Sequence, residues 1–64
     1  MVTVKSVSKK RYDILLIQAN SGMYYIQTDK KSGNDTDSKM SDGIADLKIA
    51  LHAFDVLLSE LEGH

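Results

Sequence analysis

The chain contains no cysteine, no proline and no tryptophan, and it has only one phenylalanine. Without cysteine it has neither a disulfide framework nor a thiolate metal site. The longest wholly apolar run covers residues 14–17, far short of the roughly 20 residues that span a membrane. We therefore expect a single cytoplasmic domain, 1–64, without a membrane partner.

The N-terminal part has the two-residue periodicity of β-strands instead of the basic patch and apolar run of a signal peptide. Val2, Val4 and Val7 predict a first strand over residues 2–8, and the polar residues that follow predict a turn. Residues 12–19 predict a second strand with apolar side chains on both faces. We expect this strand to be central in the sheet and covered on both sides.

The sequence Asn20-Ser21-Gly22 is typical of a tight hairpin turn, in which Gly22 adopts positive φ. A third strand is predicted over residues 23–28, antiparallel to the second. Nearly all of residues 29–40 are polar, and we interpret them as a mobile loop.

Residues 41–63 have the 3.6-residue periodicity of one long helix, with Ser41 or Asp42 as the predicted N-cap and Gly63 at its end. The main apolar stripe of this helix, predicted to pack on the sheet, consists of Ile44, Leu47, Leu51, Phe54, Leu58 and Leu61. The polar arc is narrow, so the helix is apolar around most of its circumference.

A second apolar stripe lies on another side of the helix, at Ala45, Ile49, Ala53 and Val56, with Ala50 and Leu57 at the angles between the two stripes. A chain of this length has too little other material to cover both stripes. We therefore predict a homodimer whose interface contains Ile49, Ala53, Val56 and Leu57. In the simpler alternative, one helix covers one sheet and a few apolar residues stay exposed.

The strength of this interface can be judged from Ile49, Val56 and Leu57. Burying them in both copies gains roughly 12 kcal/mol, at about 2 kcal/mol per side chain. Association costs about 4 to 15 kcal/mol. The stripe alone is therefore marginal, and we expect the sheet to contribute to the dimer interface. The predicted fold is α+β, a three-stranded antiparallel meander followed by one helix.

The residue types of common catalytic sites are sparse in this chain. It has two histidines, His52 inside the predicted helix and His64 at the end, and no serine lies in a Gly-x-Ser-x-Gly context. Tyr12, Asp13 and His52 would meet only if the fold brought them together. We therefore expect no enzymatic activity and no cofactor.

The acidic stretch at Asn34, Asp35, Asp37 and Asp42 does not have the spacing of a calcium loop. Counted from Asp35, position 5 of an EF-hand loop would be Lys39 and position 6 would be Met40. We expect no metal site. Negative charge near a helix N-terminus explains these residues as well.

Charge is divided unevenly along the chain. Residues 1–31 have six basic and two acidic side chains, a net of +4, whereas residues 32–64 have a net of -5. A basic sheet with tyrosines is typical of single-strand nucleic-acid binding. The residues that would make these contacts are Lys9, Lys10, Arg11, Tyr12 and Tyr24 or Tyr25. Our main expectation is a non-catalytic interaction or adaptor protein that binds a second copy and a further protein, and nucleic-acid binding is the alternative.

Overall fold

The computed structural model describes residues 1–32 and 35–63. Four antiparallel strands form one sheet in chain order, and a single helix follows them. The elements are β1 Val2–Ser8, β2 Tyr12–Gln18, β3 Tyr24–Ser32, β4 Asp35–Met40 and α1 Leu47–Glu62. The predicted α+β class with a C-terminal helix is confirmed, but the predicted number of strands is wrong, because the sheet has four.

The first two hairpins follow the sequence pattern closely. In β2, Ile14 lies opposite Val7 of β1 and Thr28 of β3, so β2 is an inner strand as expected. The turn before β3 closes through a hydrogen bond of 2.9 Å from the Gly22 N–H to the Ala19 carbonyl. Gly22 has φ of 91°, the left-handed conformation that glycine adopts without steric cost.

The predicted loop at residues 29–40 is instead the end of β3 and the whole of β4. Asp29 lies opposite Ser38, and Lys30 lies opposite Asp37. Strand pairing is made by backbone hydrogen bonds, so an edge strand needs few apolar side chains, and charged ones discourage further pairing there. Gly33 and Asn34, which also belong to the predicted loop, lie outside the described residues.

The helix begins six residues later than predicted, at Leu47. Its N-cap is Asp46, which replaces the predicted Ser41 or Asp42. Ile44 lies before the helix and pairs with Tyr24 through two backbone hydrogen bonds of 2.8 Å. Gly63 lies at the C-cap as expected, and its N–H donates to the Ser59 carbonyl at 3.0 Å.

The core lies between α1 and one face of the sheet, which we call the helix-side face. Its buried residues are Tyr12, Ile14, Leu16, Ile26, Ala50 and Phe54. Most of the predicted helical stripe packs against this cluster, but Leu47 is 38% exposed. Ala50, which we placed between the two stripes, is fully buried instead. The small side chain of Ala50 allows the helix to approach the sheet closely.

The opposite face of the sheet, here called the open face, has Leu15, Ile17 and Tyr25 at its centre. The expectation that β2 is covered on both sides is wrong for the single chain, because α1 covers only the helix-side face and no other element of the described ranges covers the open one. Ile17, opposite Thr3 and Tyr25, is nevertheless only 7% exposed.

Candidate docking surface beside the helix

One flank of α1 exposes large apolar side chains to solvent. Ile49 is 60% exposed and Val56 is 45% exposed. Ala53 and Leu57, predicted for the same interface, are half-buried and pack against the core of their own chain. We call Ile49, Ala53, Val56 and Leu57 the apolar flank. Two of the four residues are thus shared with the core, and the other two are free to contact another molecule.

Ion pairs on the other side of α1 show which way the apolar flank faces. Lys5 of β1 lies 3.5 Å from Asp55, and Lys9 lies 4.0 Å from Glu62. The Lys5 ammonium also lies 5.1 Å from the centre of the Phe54 ring, a cation–π distance. Asp55 and Glu62 therefore mark the side of α1 towards β1, and the apolar flank lies on the other side of the helix, where Leu57 approaches the last two strands.

A groove of about 590 Å³ lies between α1 and the last two strands. It forms because α1 packs on β2 and β3 and does not reach over β4. Its lining residues are Ile26, Thr28, Lys30, Lys39, Met40, Ser41, Leu57, Glu60 and Leu61. The groove is continuous with the apolar flank through Leu57, so the two form one surface. The groove could not be predicted from the sequence because one of its walls, β4, was predicted to be a loop.

Five basic residues come together at one end of the sheet, which we call the basic end: Lys9, Lys10, Arg11, Lys30 and Lys31. The backbone N–H of Lys31 donates to the Arg11 carbonyl at 2.8 Å, which joins the β1–β2 turn to the end of β3. A shallow cavity of about 350 Å³ lies there, between the turn and the C-terminal end of α1. In the described part of the chain, Lys10, Arg11 and Lys30 form no ion pair.

The tyrosines proposed for nucleic-acid contact are separated by the sheet. Tyr12 is 9% exposed and belongs to the core, and Tyr24 packs against the same core on the helix-side face. Burial, together with the charge of Glu62, raises the pKa of the Tyr12 phenol above its ordinary value. Tyr25 lies on the open face, half-buried. Of the three tyrosines, Tyr25 is therefore the one whose ring lies on the open face.

The open face has two carboxylates directly opposite each other, Asp13 and Asp29. Lys31 lies 3.2 Å from Asp13, and the Ser38 hydroxyl donates to Asp29 at 2.6 Å. A hydrogen bond from the Ser8 hydroxyl, with a second from Lys31, holds the pKa of Asp13 below its ordinary value. The partners offset the repulsion that two facing carboxylates would otherwise cause.

The fold does not bring Tyr12, Asp13 and His52 together as a catalytic group. Tyr12 lies on the helix-side face, Asp13 lies on the open face, and His52 is exposed on α1. Within residues 1–32 and 35–63, no three histidine, aspartate or glutamate side chains are grouped as metal ligands require. The arrangement supports binding through apolar and charged surfaces.

A comparison of the chain with protein-family models, with curated proteins and with solved structures finds no match. The function must therefore be inferred from the surfaces themselves. No helix in the described ranges has the length and hydropathy needed to cross a membrane.

Proposed function

We propose that this protein is a non-catalytic interaction module that acts as a homodimer through the apolar flank of α1. The exposure of Ile49 and Val56 on a 16-residue helix is the observation that supports this proposal. Large apolar side chains side by side on a small domain mark an association surface. The groove beside them adds apolar area from Met40 and Leu61, and the dimer needs this area because burial of the helical stripe alone is marginal.

A second copy is the occupant that suits this surface best. Closed two-fold dimers are the commonest assemblies of soluble proteins, and their interfaces use the same patch on both subunits. Oligomerisation also supplies the stabilisation that a cysteine-free domain of 64 residues cannot obtain from disulfides. The adaptor role follows if the dimer presents two identical open faces or basic ends to a further partner.

Sedimentation velocity at micromolar concentration tests the dimer. We expect the wild-type protein to sediment as a dimer and Ile49→Lys and Val56→Lys to sediment as monomers, because each variant buries a charge in the interface. Lys48→Glu is the control, since Lys48 is exposed on the same helix but is not spaced three or four residues from Ile49 or Val56. Circular dichroism checks that each variant is folded. A wild-type monomer at this concentration would contradict the proposal.

Single-stranded nucleic-acid binding is a second candidate, and the basic end is the observation that favours it. Three of its five cations have no ion pair among the described residues, so they are available to phosphates. Lys9, Lys10 and Arg11 retain the contact role proposed from the sequence. Because Tyr12 and Tyr24 lie under the helix, Tyr25 is the better placed ring for base stacking.

Fluorescence anisotropy with a labelled single-stranded oligonucleotide tests this second candidate. We expect binding at low salt that weakens steeply as salt rises, and weaker binding in the variants Lys10→Glu and Arg11→Glu. Lys48→Glu, which changes an exposed charge on α1, is the control. Absence of binding at low salt would eliminate this candidate and leave the dimer proposal unaffected.

A further inference from the structure

The groove beside α1 has walls of opposite charge. Lys30 and Lys39 come from neighbouring strands on the sheet side, and Glu60 comes from the helix side. In the described part of the chain, neither Lys39 nor Glu60 forms an ion pair. Both side chains are exposed, so each is free to pair with a charge on another molecule.

The apolar flank lies next to Glu60, the charged residue on the helix side of the groove. Ile49, Ala53, Val56 and Glu60 are spaced four, three and four residues apart, which places them along one side of the helix. A molecule that covers Ile49 and Val56 therefore also lies against Glu60 and the groove. If that molecule is a second copy, it brings its own Glu60 and its own lysines to the same place.

We propose that the groove over β4 receives the apolar flank of a second copy, and that Glu60 of each copy pairs with Lys39 of the other. This inference rests on the proposed dimer and names the contact that sets its register. In a two-fold dimer every contact between two different residues occurs twice, so the opposite charges of the walls are matched on both sides of the axis. Such charge complementarity selects one orientation among the apolar alternatives.

Charge reversal at the two positions tests the pairing. The variants E60K and K39E each place like charges together twice, and we expect each to raise the dimer dissociation constant by at least about tenfold. The double variant E60K/K39E restores both pairs, so its dissociation constant is expected within about threefold of the wild-type value. The variant E60Q, which removes the charge without reversing it, is expected to lie between wild type and E60K.

Mixing gives a sharper test. In the heterodimer formed by an equimolar mixture of E60K and K39E chains, both pairs have opposite charges: one pair is the wild-type pair and the other has its charges exchanged. We expect this mixture to dimerise about as tightly as the wild-type protein, although each component alone does not. Lys48→Glu is the control, since Lys48 is an exposed lysine of α1 that does not line the groove. Circular dichroism of every variant shows whether it is folded.

The possible outcomes separate this inference from the proposed function. A wild-type dimer whose dissociation constant does not respond to E60K or K39E would overturn the pairing and leave the apolar flank as the interface. Weakening by both single variants without recovery in the double variant or in the mixture would also overturn it. If a different protein occupies the groove instead, we expect a wild-type dimer whose dissociation constant does not respond to E60K or K39E. A wild-type monomer would overturn the inference and the dimer together.

Discussion

Ser41 and Ile26 are joined by two hydrogen bonds. The Ser41 backbone N–H donates to the Ile26 carbonyl at 2.9 Å, and the Ser41 hydroxyl oxygen accepts from the Ile26 N–H at 2.9 Å. Ser41 thereby continues the pairing with β3 after β4 ends. Its side-chain oxygen takes the place that its own backbone carbonyl would have in a regular antiparallel pair. This contact directs the chain from the edge of the sheet back towards the helix.

The first prediction concerns this hydroxyl. Ser41→Ala leaves the N–H of Ile26, a residue that is 3% exposed, without its acceptor, and we expect a loss of about 1–3 kcal/mol in the free energy of unfolding. Urea denaturation measures it. Ser6→Ala, on the exposed strand β1, is the control and is expected to change the value by less than about 0.5 kcal/mol. Equal effects of the two substitutions would contradict the role assigned to Ser41.

The second prediction concerns the helix start. The Asp46 carboxylate accepts from the Lys48 N–H at 2.8 Å and from the Ile49 N–H at 3.4 Å. Asp46→Ala is expected to lower the free energy of unfolding by about 1 kcal/mol, because it leaves these N–H groups without a cap. Asp42→Ala is expected to have little effect, although the sequence alone favours Asp42 as a cap. Thermal or urea unfolding of both variants decides between the two positions.

The third prediction concerns the loss of folding stability at low pH. The pKa of Asp13 is held below its ordinary value in the folded state, so the unfolded chain takes up this proton at higher pH than the folded protein does. Stability from Asp13 is therefore complete above about pH 4 and is lost as pH falls through the folded pKa. We expect Asp13→Asn to lose less stability than wild type between neutral pH and pH 2. Urea unfolding at several pH values measures this, with Asp42→Asn as control. An unchanged acid dependence in Asp13→Asn would contradict it.

The fourth prediction concerns the ionisation of Tyr12 and the loss of folding stability at high pH. Because burial raises the pKa of Tyr12, the folded protein keeps this phenol neutral at pH values where the unfolded chain ionises it. Stability from the neutral phenol is present below about pH 10 and is lost as pH rises through the folded pKa. Absorbance titration is expected to show a late-ionising tyrosine that disappears in Tyr12→Phe and persists in Tyr25→Phe. If the late-ionising tyrosine were lost in Tyr25→Phe instead, it would lie on the open face, and the prediction for Tyr12 would be contradicted.

The parts of the fold that were predicted correctly are those in which apolar residues recur along the chain with the period of a strand or a helix. The alternation of Val2, Val4 and Val7 predicted β1, and the apolar run in β2 marked an inner strand. The turn at Gly22 was predictable because a turn of this kind requires positive φ, which glycine adopts without steric cost, and the observed φ is 91°. Phe54, the single phenylalanine, was placed correctly in the core because it lies on the main helical stripe.

The features that were not predicted, β4 and the position of Ile44, both depend on backbone pairing with β3, which the pattern of apolar side chains does not reveal. The sequence of β4, Asp35–Met40, is polar because an edge strand is held by backbone pairing with β3, which leaves no alternation of apolar residues to detect. Ile44 has the spacing of a helical core residue, but its backbone pairs with Tyr24 and its side chain reaches the core from the linker. The groove, which depends on β4, could not be predicted for the same reason.

Local pattern in the amino-acid order was enough to establish the α+β class, the first three strands, the turn at Gly22 and a helix with more apolar surface than one sheet covers. The packing of α1 on β2 and β3 decided the rest. It buried Ala50, left Ile49 and Val56 in solvent, and set Lys39 across a groove from Glu60. These relationships join residues distant in the chain, and a helix lying over two strands has a rotation and an offset that only the close packing of its side chains specifies.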